Sequence, residues 1–287
     1  MMSILERRQS LVQDLPPHVF FFISAVFHYL GPAFAVLLFA EVAVLGVAWL
    51  RIASAALVFA LWRRPWRVWG RLSRRERYEL AALGLVLGLM NASFYLAIAR
   101  LPLGTVGAIE FIGPIFLAAL GTRSRRNAGA LALAVFGCLL LTDVRLEGDG
   151  LGFAFAFLNC GLFMMYLVLG HRLARGTNVS SIDRLGLAML IALVTVSPLG
   201  LSEVLSALTR PELLLAGAGV GICSSVIPYV CDQLAMARLS RATFALLLAL
   251  LPASATLIGI LVLRQLPAPA EITGIALVAA GVALRQD

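Results

Sequence analysis

Ten apolar runs recur along the chain, near 18–39, 43–62, 79–99, 102–120, 128–142, 150–170, 183–201, 213–235, 242–263 and 268–284. A helix rises about 1.5 Å per residue, so about 20 such residues cross a hydrocarbon layer roughly 30 Å thick. One run of this kind can be a buried core helix or an anchor; ten leave too little polar surface for a water-soluble fold. Of the 287 residues 61% are hydrophobic and only 13% charged, about half the charged share of a soluble domain. These features predict an all-α polytopic membrane protein of ten transmembrane helices, since a helix satisfies its own backbone polar groups without water. The first run is not followed by a small-x-small cleavage pattern, which predicts a retained helix rather than a cleaved leader.

The two halves of the chain resemble each other. AIARL at 97–101 matches AMARL at 235–239, an offset of 138 residues. At the same offset Thr105 falls on Thr243, Pro114 on Pro252 and Gly121 on Gly259. Arg and Pro are rare inside apolar runs, so these matches point to an internal duplication. The fifth and tenth runs are the shortest, and each closes one half. The expected organisation is two five-helix repeats, 1–145 and 146–287.

All 23 basic residues are Arg, and they are unevenly distributed. Counted gap by gap, eighteen lie on one side of the ten-span arrangement and four (Arg100, Arg145, Arg210, Arg264) on the other, with Arg51 inside a span. The positive-inside rule then puts both termini in the cytoplasm. Because each half has an odd number of spans, the second enters inverted. Arg100 outside and its repeat mate Arg238 inside agree with that. Inverted repeats with a site at their interface characterise secondary transporters.

The +8 net charge does not indicate a nucleic-acid partner, because the arginines lie in the gaps between spans and form no extended basic surface with interleaved aromatics. Expected partners are a small-molecule substrate and membrane lipids. No P-loop, HExxH, GxGxxG or GxSxG pattern appears. The four cysteines (Cys138, Cys160, Cys223, Cys231) lie in apolar runs without metal-ligand spacing, so no cofactor or metal is expected and they read as small buried residues.

Charge inside the spans is the informative exception. Arg51 lies ten residues after Glu41, and Glu110 ten after Arg100, which places both about 15 Å below the outer face. Ionisable groups at such depth face a polar interior and are candidates for pairing with each other. Asn91 and Tyr95 share a helical face; Asn159 and Tyr166 lie in the sixth run; Tyr229 and Asp232 lie in the eighth. Spread over both halves, they suit a central site. Gly31-Pro32, Gly113-Pro114 and Pro252 are candidate helix breaks beside it. His28 is the one histidine inside a span, either an interior histidine with satisfied partners or a contact to substrate or proton. The GxxxG spacings at Gly84/Gly88 and Gly217/Gly221 read as close helix packing.

MNASFYLAIARLPLGTVGAIEFIGP at 90–114 resembles the EamA-type members of the drug/metabolite transporter superfamily, and within it the threonine/homoserine exporter branch. LR at 50–51, HR at 171–172 and IPYVCDQLAMARL at 227–239 add to the likeness, with Asp232 where that branch tends to have Glu. The likeness runs through nearly the whole chain. It implies a ten-helix inverted-repeat fold and efflux of a small metabolite. Two departures remove carboxylates from the second half: Leu251 precedes Pro252 where the family often has an acid, and Arg264-Gln265 stands where Gly-Glu is common.

Together these features predict a bacterial inner-membrane exporter of small amino acids or related metabolites, driven by the proton gradient. Glu110 is expected to hold the substrate ammonium or the coupling proton, and Arg51 to orient it or meet the substrate carboxylate. Asn91, Tyr95, Asn159, Tyr166 and Tyr229 are expected to supply polar contacts. The alternatives are an exporter of another substrate, such as an aromatic amino acid, nucleoside or drug, and an intramembrane enzyme. An enzyme needs a clustered nucleophile and base at one depth, which the sequence does not display.

Overall fold

The computed structural model describes residues 15–101, 103–120, 124–141, 149–175, 179–205, 207–248, 250–251 and 269–284, and among them every regular element is helical. In chain order these are α1 (Pro17–Leu38), α2 (Val44–Arg63), α3 (Arg74–Ile98), α4 (Leu103–Leu120), α5 (Arg125–Leu141), α6 (Gly150–Ala174), α7 (Ser181–Val204), α8 (Pro211–Met236), α9 (Arg241–Leu247) and α10 (Pro269–Leu284). By length and hydropathy α2, α3, α6, α7 and α8 are each able to cross a membrane. Large apolar side chains such as Leu57, Phe116, Val194 and Leu215 point outward. Arg51, Asn91, Asn159 and Asp232 point inward and are buried. Apolar outside and polar inside is the arrangement a bilayer solvent favours, and the chain is a multi-pass membrane protein.

Most helices begin and end near the limits of the apolar runs, and local chemistry accounts for the differences. α3 starts five residues before its apolar run because Ser73 and Glu76 form a capping box: Ser73 Oγ accepts from the Glu76 N–H and Glu76 Oε2 from the Ser73 N–H. α2 stops where Arg64 turns into the left-handed region (φ 48°) and Pro65 follows. A short 3₁₀ segment, Pro65–Arg71, buries Pro65 and Val68 and exposes Trp66 and Trp69. α6 is capped by Asp149, whose carboxylate accepts from the Leu151 N–H and pairs with Arg100 at 2.8 Å. Those two contacts, in that order, hold the Asp149 carboxyl below its ordinary range.

Helix packing has a reciprocal pattern. α2 packs on α7, α4 on α9 and α5 on α10. α3 packs on α6 and α7, and α8 correspondingly on α1 and α2. Small residues make the closest approaches. A Cβ on Gly84 would meet Ile191 of α7, and one on Gly88 the Ala192 carbonyl at 3.0 Å. Gly217 faces Leu50, and a Cβ on Gly221 would lie 2.6 Å from the Arg51 carbonyl. Both GxxxG spacings therefore serve packing, as expected. Gly137 and Gly281 do the same between α5 and α10.

The Gly-Pro pairs differ from the sequence expectation. α1 runs unbroken through Gly31-Pro32, and α4 through Gly113-Pro114. Gly31 instead lets α1 approach Ser224 of α8, and Gly113 lets α4 approach Met164 and the Cys160 carbonyl of α6. Pro252 lies outside the described residues. The irregular backbone is in α8, where Ile222–Val226 winds as a π-helix just before Pro228. Such π turns arise where an extra residue is accommodated in the helix, frequently beside functional groups.

The interhelical ion pairs respect the sidedness of the arginine count. Arg63–Asp183, Arg172–Glu79 and Arg184–Glu76 join segments assigned to the arginine-rich face. Arg100–Asp149 and Arg210–Glu41 join segments assigned to the other. Glu41 is exposed.

Candidate binding site

Six helices bring polar side chains together in the interior: α1 (Ser24, His28), α2 (Arg51), α3 (Asn91, Tyr95), α4 (Glu110), α6 (Asn159, Tyr166) and α8 (Ser224, Ser225, Tyr229, Asp232). Three local groups make up this core.

The first is Glu110 with Asn159. Asn159 Nδ2 donates to Glu110 Oε1 at 2.9 Å. A carboxylate only accepts, so this contact fixes the amide's orientation and turns Asn159 Oδ1 elsewhere. That oxygen is buried and has no hydrogen-bond partner. Pro114, four residues after Glu110, has no N–H for the Glu110 carbonyl. The neighbourhood is thus rich in acceptors and short of donors.

The second centres on Arg51. Its Nε donates to Ser225 Oγ at 2.8 Å and its Nη2 to the Ser224 carbonyl at 2.7 Å. The sequence makes this acceptor available, because Pro228 cannot donate to the carbonyl four residues earlier. The guanidinium also sits 5.7 Å from the centre of the Tyr95 ring. Direct pairing of Arg51 with Glu110, suggested by their common depth, does not occur: the guanidinium is drawn to the backbone of α8 instead. The two charges remain within electrostatic reach of each other and of Tyr229. Among the described residues these bonds use two of the five guanidinium N–H groups, and the Tyr95 side chain is the next group set against the guanidinium. The Tyr95 hydroxyl and His28 Nδ1 are buried without hydrogen-bond partners.

The third is Asp232, which accepts from Ser24 Oγ at 2.6 Å and from the Tyr166 hydroxyl at 3.2 Å. Tyr229 links the groups. Its ring lies 5.5 Å from that of Tyr166, and its hydroxyl accepts from Asn91 Nδ2 at 3.4 Å. Asn91 and Tyr229 are 138 residues apart, which is the offset that aligns AIARL with AMARL.

All eight binding residues expected from the sequence thus fall in this core. Gly31, Pro32, Gly113 and Pro114 lie beside it as packing and carbonyl-freeing residues. Sequence reading missed Ser24, Ser224 and Ser225, although a serine pair just before Pro228 is a legible sign of a freed backbone acceptor. Chemically, the core offers a carboxylate and a bare amide oxygen at one place and spare guanidinium donors at another. It can therefore receive a small ligand carrying both a cationic donor and an anionic acceptor.

An inward-facing polar core inside an apolar helical bundle is the form of a membrane transport protein. Comparison with known proteins gives the family. The EamA-like transporter family model matches residues 150–285. Threonine/homoserine exporter RhtA of Salmonella typhimurium (strain LT2) is 30% identical over 252 residues, 87% of this chain and 82% of that protein. RhtA of Escherichia coli (strain K12) is 30% identical over 256 residues, 88% and 85% of the two chains. A solved crystal structure shares the fold at a TM-score of 0.68 and 18% identity, covering 92% of this chain and 94% of that one. The chain belongs to the EamA-like transporter family and resembles its threonine/homoserine exporter branch.

Proposed function

We propose that this protein exports threonine, homoserine or a closely related small amino acid from the bacterial cytoplasm across the inner membrane, in exchange for protons. The observation that carries the reading is the complementary pair of unmet needs in the core. Asn159 Oδ1, beside the Glu110 carboxylate, lacks a donor, and Arg51 has donors to spare. A zwitterion meets both. Its ammonium would lie against Glu110 and Asn159, and its carboxylate against Arg51, with Tyr95 and Asn91 in reach of the remaining polar groups. The RhtA relatives, named as threonine/homoserine exporters, supply the substrate class.

In this reading the fold is ten spans in two inverted five-helix repeats, 1–145 and 146–287, with both termini cytoplasmic. The reciprocal helix packing and the Asn91–Tyr229 contact at the repeat offset support it. A reporter active only in the periplasm should be active when fused at Arg145 and silent at Arg75 or Asp287. Activity of the Asp287 fusion contradicts the even number of spans.

Cells overproducing the protein should excrete more threonine or homoserine and tolerate higher external concentrations of them. Unchanged tolerance to every amino acid, with new resistance to a nucleoside or a cationic drug, moves the chain to another substrate. The aromatic walls of the core (Phe163, Tyr166 and Tyr229) make that the relevant competing outcome.

A further inference from the structure

We propose that Asp232, held by the Ser24 and Tyr166 hydroxyls, carries the coupling proton at a site separate from the Glu110–Asn159 substrate position. The inference rests on the exporter reading and divides its two tasks between two interior carboxylates, Asp232 buried and Glu110 half-buried.

The two shells differ chemically. Glu110 is met by the Asn159 amide, which donates to it and would have to turn over by about 180° to accept from a protonated Glu110. Asp232 is met by hydroxyls alone, one on each oxygen, and makes no ion pair among the described residues. A hydroxyl donates to a carboxylate and, after rotation, accepts from a carboxylic acid, so this shell is satisfied in either protonation state. The serine shows how the change is accommodated. Ser54, Ser93, Ser197 and Ser224 each donate to the carbonyl four residues earlier. Ser24 instead gives its hydrogen to Asp232 across the α1–α8 contact. When Asp232 takes a proton, the new carboxylic O–H can donate to Ser24 Oγ, and the serine hydrogen can return to the Phe20 carbonyl on its own helix. No other bond forms or breaks; the proton enters from water on one side and leaves to water on the other. Protonation thereby replaces a charge-assisted bond between α1 and α8 by a weaker neutral one. The two helices belong to different repeats, so proton binding alters the contact between halves that alternating access must rearrange.

The ionisable groups around Asp232 are few, and Cys231 adjoins it on its own helix. On helices packed against the C-terminal part of α8, His28 lies one turn beyond Ser24 on α1, and Tyr166 faces Asp232 from α6. The charged residues of α7 (Asp183, Arg184, Glu203) lie near its ends, and Arg241 begins α9. On α8 itself Tyr229 is the neighbouring phenol.

The test uses purified protein in lipid. In vesicles, Asp232→Asn should lower the ratio of pH-gradient-driven homoserine accumulation to equal-pH exchange by at least about 10-fold, whereas Glu110→Gln should depress both together. Accumulation by Asp232→Asn that keeps the wild-type ratio overturns the proposal, as does loss of both activities in parallel. Infrared difference spectra between about pH 9 and about pH 5 supply a readout independent of transport. One component of the protonated-carboxyl absorption should be lost in Asp232→Asn, shifted in Ser24→Ala and retained in Glu110→Gln. A band unchanged in Asp232→Asn overturns the proposal. Wild-type vesicles that exchange no amino acid count against the exporter reading, and the infrared result then decides the proton site alone.

Discussion

Glu110→Gln is expected to insert and accumulate like the wild type yet lose about 10- to 100-fold of its export activity, the range for removing a hydrogen bond to a charged group. The substitution conserves shape. Glutamine can still accept from Asn159 Nδ2, so the α4–α6 contact at 2.9 Å has a neutral replacement. What disappears is the negative charge that would hold an ammonium group. Glu41→Gln is the control, because Glu41 is exposed and its partner Arg210 keeps a second carboxylate in Glu212. Surface pairs of that kind contribute little, so its effect should stay within about 2-fold. Transport measured at matched expression decides the matter. Wild-type rates in Glu110→Gln make the carboxylate structural.

Arg51→Lys and Arg51→Gln should both lose about 10-fold or more of the activity, and the lysine variant should not rescue. Lysine keeps the charge but is a point donor. It cannot reproduce the fork that reaches Ser225 Oγ and the Ser224 carbonyl while leaving donors for a ligand. With Arg51 only 5% exposed, a misplaced ammonium would also be poorly solvated. Because Arg51 and Glu110 do not touch, a double-mutant cycle of Arg51→Gln and Glu110→Gln read on substrate-free stability should show a coupling below about 1 kcal/mol, whereas their transport losses should not add, since both would hold one substrate. A coupling of several kcal/mol in substrate-free stability would show a direct pair and contradict the geometry.

The membrane architecture was legible because hydropathy and helix geometry act locally. The start of α3 shows where that reading falls short: Arg74 to Glu79 are polar and add nothing to an apolar run. The Ser73–Glu76 box that starts the helix was nevertheless in plain view. The site was legible as a set of residues but not as a set of contacts. Glu110 and Asn159 were both recognisable as polar intruders, but their bond depends on Gly113 letting α4 approach α6. Equal depth suggested that Arg51 would pair with Glu110. Depth fixes one coordinate of three, however, and the Ser224 carbonyl freed by Pro228 competes for the same guanidinium. The prolines themselves were read as breaks. In the structure Pro32 and Pro114 are carried inside continuous helices, so their consequence is a carbonyl without its usual i+4 donor rather than an opening. Serines such as Ser24 are nearly silent in a hydropathy profile, because most of them satisfy themselves on their own helix.

The central claim is that the core holds a zwitterion by both of its charges. The most direct measurement is competition against labelled homoserine in vesicles containing the purified wild-type protein. Threonine should compete well. The amino alcohol lacking the carboxylate and the hydroxy acid lacking the ammonium should each compete at least about 10-fold less well, since each leaves one buried charge unmatched. If the hydroxy acid competes as strongly as threonine, Glu110 and Asn159 do not hold the substrate amine, and the proposed site is wrong.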